Sequence, residues 1–494
     1  MNSKSLKERI IKDTAKYSIA QYASQGIGFV TAIFLRRFLT PYYMGIWSLL
    51  TVVQNYLGYL TLGVNSAAIY RIPFYRGKND KASEEETRDT AFSFLFLASL
   101  FSCLCLVVAV LFLRNKYPPE VIIGLLALAI YIILQRAYSF YVVVLRAYSD
   151  FSVLAKSLLF DAVCNLILTV LIIRQFKIYG LYATVSILAV LNTLFVHTLA
   201  KRRINFKFNL KRLGGLILYG FPILLNGVLV VILRTIDRIM IGKMLGVTFV
   251  GYYSIATMPK SYVHGLSNNF YIVTIPHMQE SYGKKENAAD IKKFVAIPIE
   301  AISYFITPVL GLIYLVSPIL VKQLLPNYLP GLFALQILLL DTFFSTCSAQ
   351  ASQFLITLNK QTRLVLISVI AILVNIALNY AFIKNGLGIN GVALGGSIAS
   401  LFIFLATIIY AMGHFFKGKD IIIYIIKIIF PLIYILAIIY GCLFIRAGNL
   451  YVELVLRLTL FCAASLPLFI YADKKTHALR MVFAMIKNKF NKNG

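Results

Sequence analysis

Charged residues are scarce in this chain. Only 14% of its 494 residues are Asp, Glu, Lys or Arg, against about a quarter in soluble domains. Acids are scarcer still: 19 Asp and Glu face 48 Lys and Arg, for a formal net charge of +29. The six cysteines form no C-x-x-C pair and no Cys/His ligand spacing, which argues against a disulfide framework and a zinc site. They fall in apolar runs and read as small packing residues. No P-loop, H-E-x-x-H or G-x-S-x-G occurs, so nothing signals nucleotide, zinc-protease or acyl chemistry. The first sixteen residues, MNSKSLKERIIKDTAK, lack the apolar core and cleavage site of a signal peptide, so the first helix is expected to stay.

What the chain has instead is apolar length. It is 60% hydrophobic, with a mean hydropathy of +0.80. About 20 apolar residues span a bilayer as a helix, and the chain divides into about fourteen such segments. They lie near 14–36, 42–70, 90–113, 119–144, 152–174, 178–200, 213–241, 248–275, 293–317, 330–357, 363–384, 389–412, 420–445 and 450–472. The fold class expected is therefore an all-α polytopic membrane protein. Lys and Arg gather in the lead, 71–89, 145–156, 201–212, 281–293, 358–363, 416–420 and the tail after Asp473. Those segments alternate between spans, so the bias puts them and both termini in the cytoplasm. The positive charge then faces anionic lipid headgroups, and nucleic acid is not an expected partner. The segments on the opposite side are short. The tail 473–494 reads either as an amphipathic helix on the inner leaflet, through Leu479, Val482, Phe483 and Ile486, or as a solvated basic tail.

One stretch interrupts the apolar pattern. RTIDRIMIGKMLGVTFVGYYSIA (Arg234–Ala256) sets Arg234, Asp237 and Arg238 in an apolar run, then turns through glycines. Charges in such places are expensive and mark function by default. The stretch has an echo 206 residues earlier, in RRFLTPYYMGIWSLL (Arg36–Leu50): Leu39 matches Leu245, Gly45 matches Gly251 and Ser48 matches Ser254. A second echo pairs 160–188 with 370–398, where Asn165 matches Asn375, Gly180 matches Gly391 and Ser186 matches Ser397. Two echoes at nearly one spacing imply a duplicated six-helix unit. The expected organisation is an N-terminal lobe over 1–212, a C-terminal lobe over 213–419, two additional helices over 420–472 and the basic tail 473–494. Both copies start on the same side, so the lobes are parallel repeats about an axis along the membrane normal, as in alternating-access carriers.

Three stretches carry a family resemblance: SIAQYASQGIGFVTAIFLRRFLTPYYMGIWSL (18–49), LGVNSAAIYRIPFYRGK (62–78), and D-R-I-M-I-G, L-G and V-G-Y-Y-S-I-A within 237–256. Their order and spacing resemble the polysaccharide transporter branch of the multidrug/oligosaccharidyl-lipid/polysaccharide exporter superfamily, which contains the O-antigen and capsule repeat-unit flippases. The resemblance covers essentially the whole chain. It implies flipping of an undecaprenyl-pyrophosphate-linked oligosaccharide from the inner to the outer leaflet of the bacterial cytoplasmic membrane, in surface polysaccharide and lipopolysaccharide biosynthesis. It implies no cofactor and no enzyme activity, an ion gradient or membrane potential as driver, and a polymerase with chain-length machinery as pathway partners. In the peptidoglycan-precursor relatives the last two helices help form a groove for the lipid tail.

A pyrophosphate cargo calls for cations, and Arg suits phosphate best through paired donors. Lys260, inside the eighth span with Gln54 as its first-repeat equivalent, is the leading contact; snorkelling or pairing with an acid is its alternative. Arg136 lies within the fourth span, Arg234 and Arg238 in the seventh, and Arg36 and Arg37 at the end of the first. Arg71 ends the second span and reads as either a headgroup contact or a topology charge. Asp341, Asp237, Asp161 and Glu300 are acids in apolar runs, suited to carrying a proton or binding a cation; His264 follows Lys260 at i+4. Each also has a packing or ion-pair reading, and Arg234 is within helical reach of Asp237. The alternative function is a cation-coupled multidrug or small-molecule exporter of the same superfamily. A major-facilitator carrier would need its Gly/Asp/Arg signature in 71–89, which is missing, and a polymerase or ligase would need a large outer loop.

Overall fold

The computed structural model describes residues 3–200, 204–265, 278 and 292–476, and among them every regular element is a helix. The first part of the chain runs α1 (Ser3–Phe38), α2 (Pro41–Leu57), α3 (Val64–Gly77), α4 (Lys81–Leu113), α5 (Pro119–Ala147), α6 (Phe151–Leu168), α7 (Arg174–Leu199), α8 (Leu210–Met244) and α9 (Val247–Ala256). Then α10, described over 258–265, leads to α11 (Lys293–Leu324), α12 (Leu332–Thr357), α13 (Gln361–Lys384), α14 (Gly388–Met412), α15 (Lys419–Leu443) and α16 (Leu450–Thr476). The basic segment at 281–291 and the tail from 477 onward lie outside the described residues.

Among the described residues nine helices are long and apolar enough to cross a membrane, and a bent pair within α8 makes a tenth. The expected spans differ from these for local reasons. Span 14–36 is helical within α1, but Gln21, Ser24, Gln25 and Gly26 dilute its apolar character. Span 42–70 is broken: α2 ends in a 3₁₀ turn over Gly58–Thr61, Leu62 and Gly63 take φ of 48° and 79°, and α3 starts afresh. Spans 152–174 and 178–200 form one helical run, joined through a π turn at Thr169–Ile173 and a kink at Lys177, whose φ is 52°. The bend in α8 is 41° and follows Pro222, which removes a backbone donor from the helix. The segment 71–89, expected as a loop, is the end of α3 and the start of α4, with Asp80 capping α4 by accepting from the Ser83 amide at 3.0 Å. Apolar side chains also cover the outside. Leu104, Phe112, Leu373 and Tyr440 are all more than half exposed, as helices facing lipid require.

The chain packs as two units, Met1–Ser254 and Ile255–Gly494. The division falls later than the 212/213 boundary of the sequence repeat, because α8 packs with the first-part helices. Leu213 and Leu216 of α8 are buried among Val64, Ile72, Leu95 and Phe140 from α3, α4 and α5. A neighbouring core joins Ile46, Leu50, Leu106, Leu125 and Ile178 of α2, α4, α5 and α7. In the second unit Ile299, Phe343, Phe354, Phe404 and Ile428 build a core from α11, α12, α14 and α15. Phe461 of α16 and Ile435 of α15 fill the space left by Gly311 on α11, where a Cβ would strike both side chains.

The repeat is visible contact by contact. A Cβ at Gly45 would overlap the Val247 carbonyl, and one at Gly251 would overlap the Pro41 carbonyl. Those four positions are two pairs of repeat equivalents, so α2 and α9 meet by a reciprocal contact like that of a twofold interface. Further on, Gly180 lies against Ile172 and its equivalent Gly391 against Phe382. Ser186 and its equivalent Ser397 each donate to the carbonyl four residues back, at 3.0 and 2.8 Å. Asn165 and its equivalent Asn375 each accept a side-chain bond from the residue four on. The G-x-x-x-G at Gly391 and Gly395 packs α14 closely on α13, where Asn379 occupies the space a Gly395 side chain would need.

Candidate functional site

The second unit holds a charge pair inside its helix bundle. Lys260 of α10 forms an ion pair with Asp341 of α12, and Ser400 of α14 donates to the other Asp341 carboxylate oxygen. The Asp341 side chain is 3% exposed and that of Lys260 is 29% exposed. One turn along both helices, His264 Nε2 lies 3.1 Å from Ser345 Oγ. The spacing explains the two rungs: Lys260 and His264 are four apart on α10, and Asp341 and Ser345 are four apart on α12, so each helix offers one face to the other. Asp341 is almost fully buried, which removes water from its surroundings. An unpaired carboxylate there would be costly, and Lys260 with Ser400 supplies its compensation.

The first unit repeats this arrangement without the lysine–aspartate pair. At the 206-residue spacing Gln54 corresponds to Lys260, Gly58 to His264, Gln135 to Asp341 and Ser139 to Ser345. All four first-unit residues line one pocket of about 160 Å³, with Tyr131 and Arg136 beside them. Arg136 is held by Ser99 of α4, to which its Nε donates at 2.5 Å. Two glutamines and an arginine thus occupy the place where the second unit has a lysine–aspartate pair. Amides and a guanidinium offer several directed hydrogen bonds without a carboxylate to repel an anion.

The remaining sequence candidates scatter. Asp161 of α6 accepts from Asn192 of α7 at 2.5 Å, which ties two helices of the first unit. Asp237 of α8 accepts from Tyr253 of α9 at 2.8 Å and so braces the α8–α9 turn. Arg36 donates to the Ala32 carbonyl at 3.1 Å and the Ser254 carbonyl at 3.0 Å, tying α1 to α9. Arg37 and Arg234 are exposed, and Arg238 is half-buried. Arg71 lies 4.5 Å from the Tyr219 ring centroid and 5.5 Å from that of Phe74. Glu300 lies half-buried on α11. Among the described residues no group of three His, Cys, Asp or Glu could hold a metal ion.

Sequence reasoning passed over the supporting residues. Ser99, Ser400 and Asn192 sit in apolar runs and look like ordinary polar interruptions, although a buried polar group needs a partner. The second unit also carries an apolar groove of about 220 Å³ between α11, α12 and α15, bordered by Leu310, Gly311, Ile337, Leu340, Leu432 and Ile435.

An all-α bundle with duplicated helix packing and polar clusters inside each unit defines a membrane-transporter fold. Solved structures agree. The lipid II flippase MurJ in an inward closed conformation is similar with a TM-score of 0.71 at 16% identity, over 93% of this chain and 98% of that one. An inward-facing multidrug resistance transporter of the MATE family and MOP superfamily has a TM-score of 0.65 at 15% identity, over 82% of this chain and 98% of that one. A MOP superfamily transporter from Pyrococcus furiosus follows at 0.58 and 16% identity, over 84% of this chain and 96% of that one. The family is given by sequence: the polysaccharide biosynthesis protein model matches residues 34–328, and the chain belongs to that family. No curated protein matches the chain.

Proposed function

We propose that this protein is an alternating-access flippase for an undecaprenyl-pyrophosphate-linked oligosaccharide. It would carry repeat units of a surface polysaccharide, of the O-antigen and lipopolysaccharide kind, from the inner to the outer leaflet of a bacterial cytoplasmic membrane, with both termini cytoplasmic. The observation that carries the reading is the matched pair of polar clusters, one in each unit, at repeat-equivalent positions. Lys260 with Arg136 are the leading cargo contacts, and Asp341 is the leading coupling group. A cargo phosphate competes with Asp341 for Lys260, and neutralising Asp341 by a proton or a cation frees the lysine for it. Arg36, Arg37, Arg71, Arg234 and Arg238 are secondary cargo contacts, and Asp237, Asp161, Glu300 and His264 secondary coupling groups. The two lobes of the cycle are the repeats 1–212 and 213–419.

The groove of α11, α12 and α15 gives an isoprenoid tail an apolar path, with α15 belonging to the pair added after the repeats. That pair, and the wider likeness to MurJ than to the multidrug transporter, 93% against 82% of the chain, support a lipid-linked cargo over a small drug. A polymerase and chain-length machinery would receive the product.

The test is deletion of the gene followed by analysis of lipid-linked intermediates. Undecaprenyl-linked repeat units trapped on the cytoplasmic side are expected. Normal surface glycan with no trapped lipid would overturn the reading for that pathway. Lys260→Ala, inserted at normal level, is expected to slow export; unchanged export would remove Lys260 from the site.

A further inference from the structure

Where α8 begins, the first unit carries a pocket of about 340 Å³ built by three helices. Arg71 and Tyr75 enter it from α3, Glu86 from α4, and Asn209, Lys211 and Arg212 from the start of α8. Three cations therefore face one acid, and the acid is fully engaged. Glu86 Oε2 accepts from Arg212 Nε at 3.0 Å and Nη2 at 2.8 Å, and Oε1 accepts from Asn209 Nδ2 at 2.5 Å. Arg212 also donates to Tyr75 Oη at 2.8 Å and Ser83 Oγ at 2.9 Å, which fixes the guanidinium. Among the described residues no carboxylate lies within ion-pair distance of Arg71 or Lys211. Two uncompensated cations, one of them held against the faces of Tyr219 and Phe74, thus stand in a rigid frame at the positive end of a 35-residue helix.

The side chains around the pocket identify the kind of anion. Tyr70 is 58% exposed and Phe74 45% on α3, and Leu210 is 76% exposed and Leu218 81% on α8. These exposed apolar groups lie on the same two helices within a few residues of the pocket lining, Phe74 against Arg71 itself, and the apolar run of α4 starts at Thr90, one turn beyond Glu86. A soluble anion has no use for such a rim. A lipid does, because its phosphate enters the cationic pocket while its chains lie over the leucines.

We propose that this pocket binds the phosphate headgroup of a membrane lipid. Arg71 and Lys211 make the charge contacts, Arg212 and Glu86 hold the frame, and Tyr70, Phe74, Leu210 and Leu218 receive the chains. Two lipids share that chemistry. One is the bulk anionic phospholipid; the other is the polyprenyl pyrophosphate of the cargo at entry, and only this second source rests on the flippase reading.

The experiment uses the full-length protein purified in detergent, with lipid binding followed by native mass spectrometry and by thermal melting. Phosphatidylglycerol, phosphatidylcholine, undecaprenyl pyrophosphate and inorganic pyrophosphate are the probes. At least one of the two anionic lipids is expected to bind at least tenfold more tightly than phosphatidylcholine. The double variant R71Q/K211Q is expected to lose that margin, while R114Q/K116Q, at the other end of α4, keeps it; R71K, which retains the charge, shows whether loss of binding is loss of fold. Phosphatidylglycerol binding alone assigns the pocket to bulk lipid, and undecaprenyl pyrophosphate binding alone assigns it to cargo. Equal binding by wild type and R71Q/K211Q, or inorganic pyrophosphate binding as tightly as either lipid, overturns the proposal. Because binding rather than flipping is measured, the result stands apart from the test of the transport function.

Discussion

Adding one methyl group at Gly251 or at Gly45 tests the reciprocal contact of α2 and α9. At each position the new Cβ would lie inside the contact distance of a backbone carbonyl, that of Pro41 for Gly251 and that of Val247 for Gly45. Carbonyls have no rotamer to change, so the helices themselves must separate by roughly 1 Å or more to restore van der Waals spacing. Overpacking of this kind costs about 1–3 kcal/mol. Alanine regains about 0.5–1 kcal/mol through better helix propensity, which leaves a net loss of up to about 2.5 kcal/mol for each variant. Gly26, in α1, is the internal control, since a Cβ there meets nothing within 4 Å. Gly26→Ala keeps only the propensity gain, so its effect has the opposite sign. Thermal unfolding of the purified full-length protein reads the difference, with a drop of a few degrees expected for Gly45→Ala and Gly251→Ala. Both substitutions wedge apart the same two helices, so the double variant is expected to lose less than the two single losses combined. If Gly45→Ala and Gly251→Ala melt at or above wild type, as Gly26→Ala should, the twofold contact is not a packed one and the reasoning fails.

The Lys260–Asp341 pair makes a second prediction. Lys260→Ala leaves the buried Asp341 carboxylate without its cation and should cost about 3 kcal/mol or more, while Lys260→Met with Asp341→Leu should recover most of the melting temperature; a double variant no more stable than Lys260→Ala would refute the pair as the reason. A third concerns pH. The amide and hydroxyl of Ser83 hold the Asp80 carboxyl below its ordinary range by hydrogen-bonding its charged form, so its contribution is present above the unfolded carboxylate range and fades as pH falls through the lowered folded value. Melting of wild type and Asp80→Ala should therefore differ at neutral pH and converge in acid, and a gap that persists in acid would count against the cap.

Much of the architecture is legible in the sequence because lipid demands it. Apolar length gives helices, and the echoes of Gly45 with Gly251 and of Asn165 with Asn375 give the duplication. Those residues repeat because each copy makes the same contact, as the Gly180 and Gly391 packing makes plain. The site was legible only in pieces. Lys260 and Asp341 both stand out as charges in apolar runs, and an acid partner for Lys260 is one reading of the sequence, but nothing in a sequence fixes the rotation that turns α10 toward α12 and so names Asp341 as that acid. The Gln54–Gln135 pocket was harder still, because glutamine in a helix carries no alarm and becomes informative only beside its charged equivalents. The Arg212–Glu86 cluster is hard to see in the sequence, because 71–89 and 201–212 are far apart and nothing local shows that they fold together. Their basic residues already answer to the positive-inside bias, which is silent on how they pack. The unit boundary at 254/255 depends on long-range packing of α8, which local pattern does not encode.

That boundary has a consequence for the order in which the molecule can be assembled. A ribosome releases the chain from its first residue, and parts fold as they emerge. By sequence the first repeat is complete at residue 212, but its Gly45 surface and the α3 face that meets Leu213 and Leu216 have no partners until α8 and α9 follow. The helices α1 to α7 must wait, with small residues uncovered, for α8 and α9. The duplicated gene therefore does not make two self-sufficient halves: the later copy supplies the closing piece of the earlier one, and the first body is finished only after translation has passed residue 254.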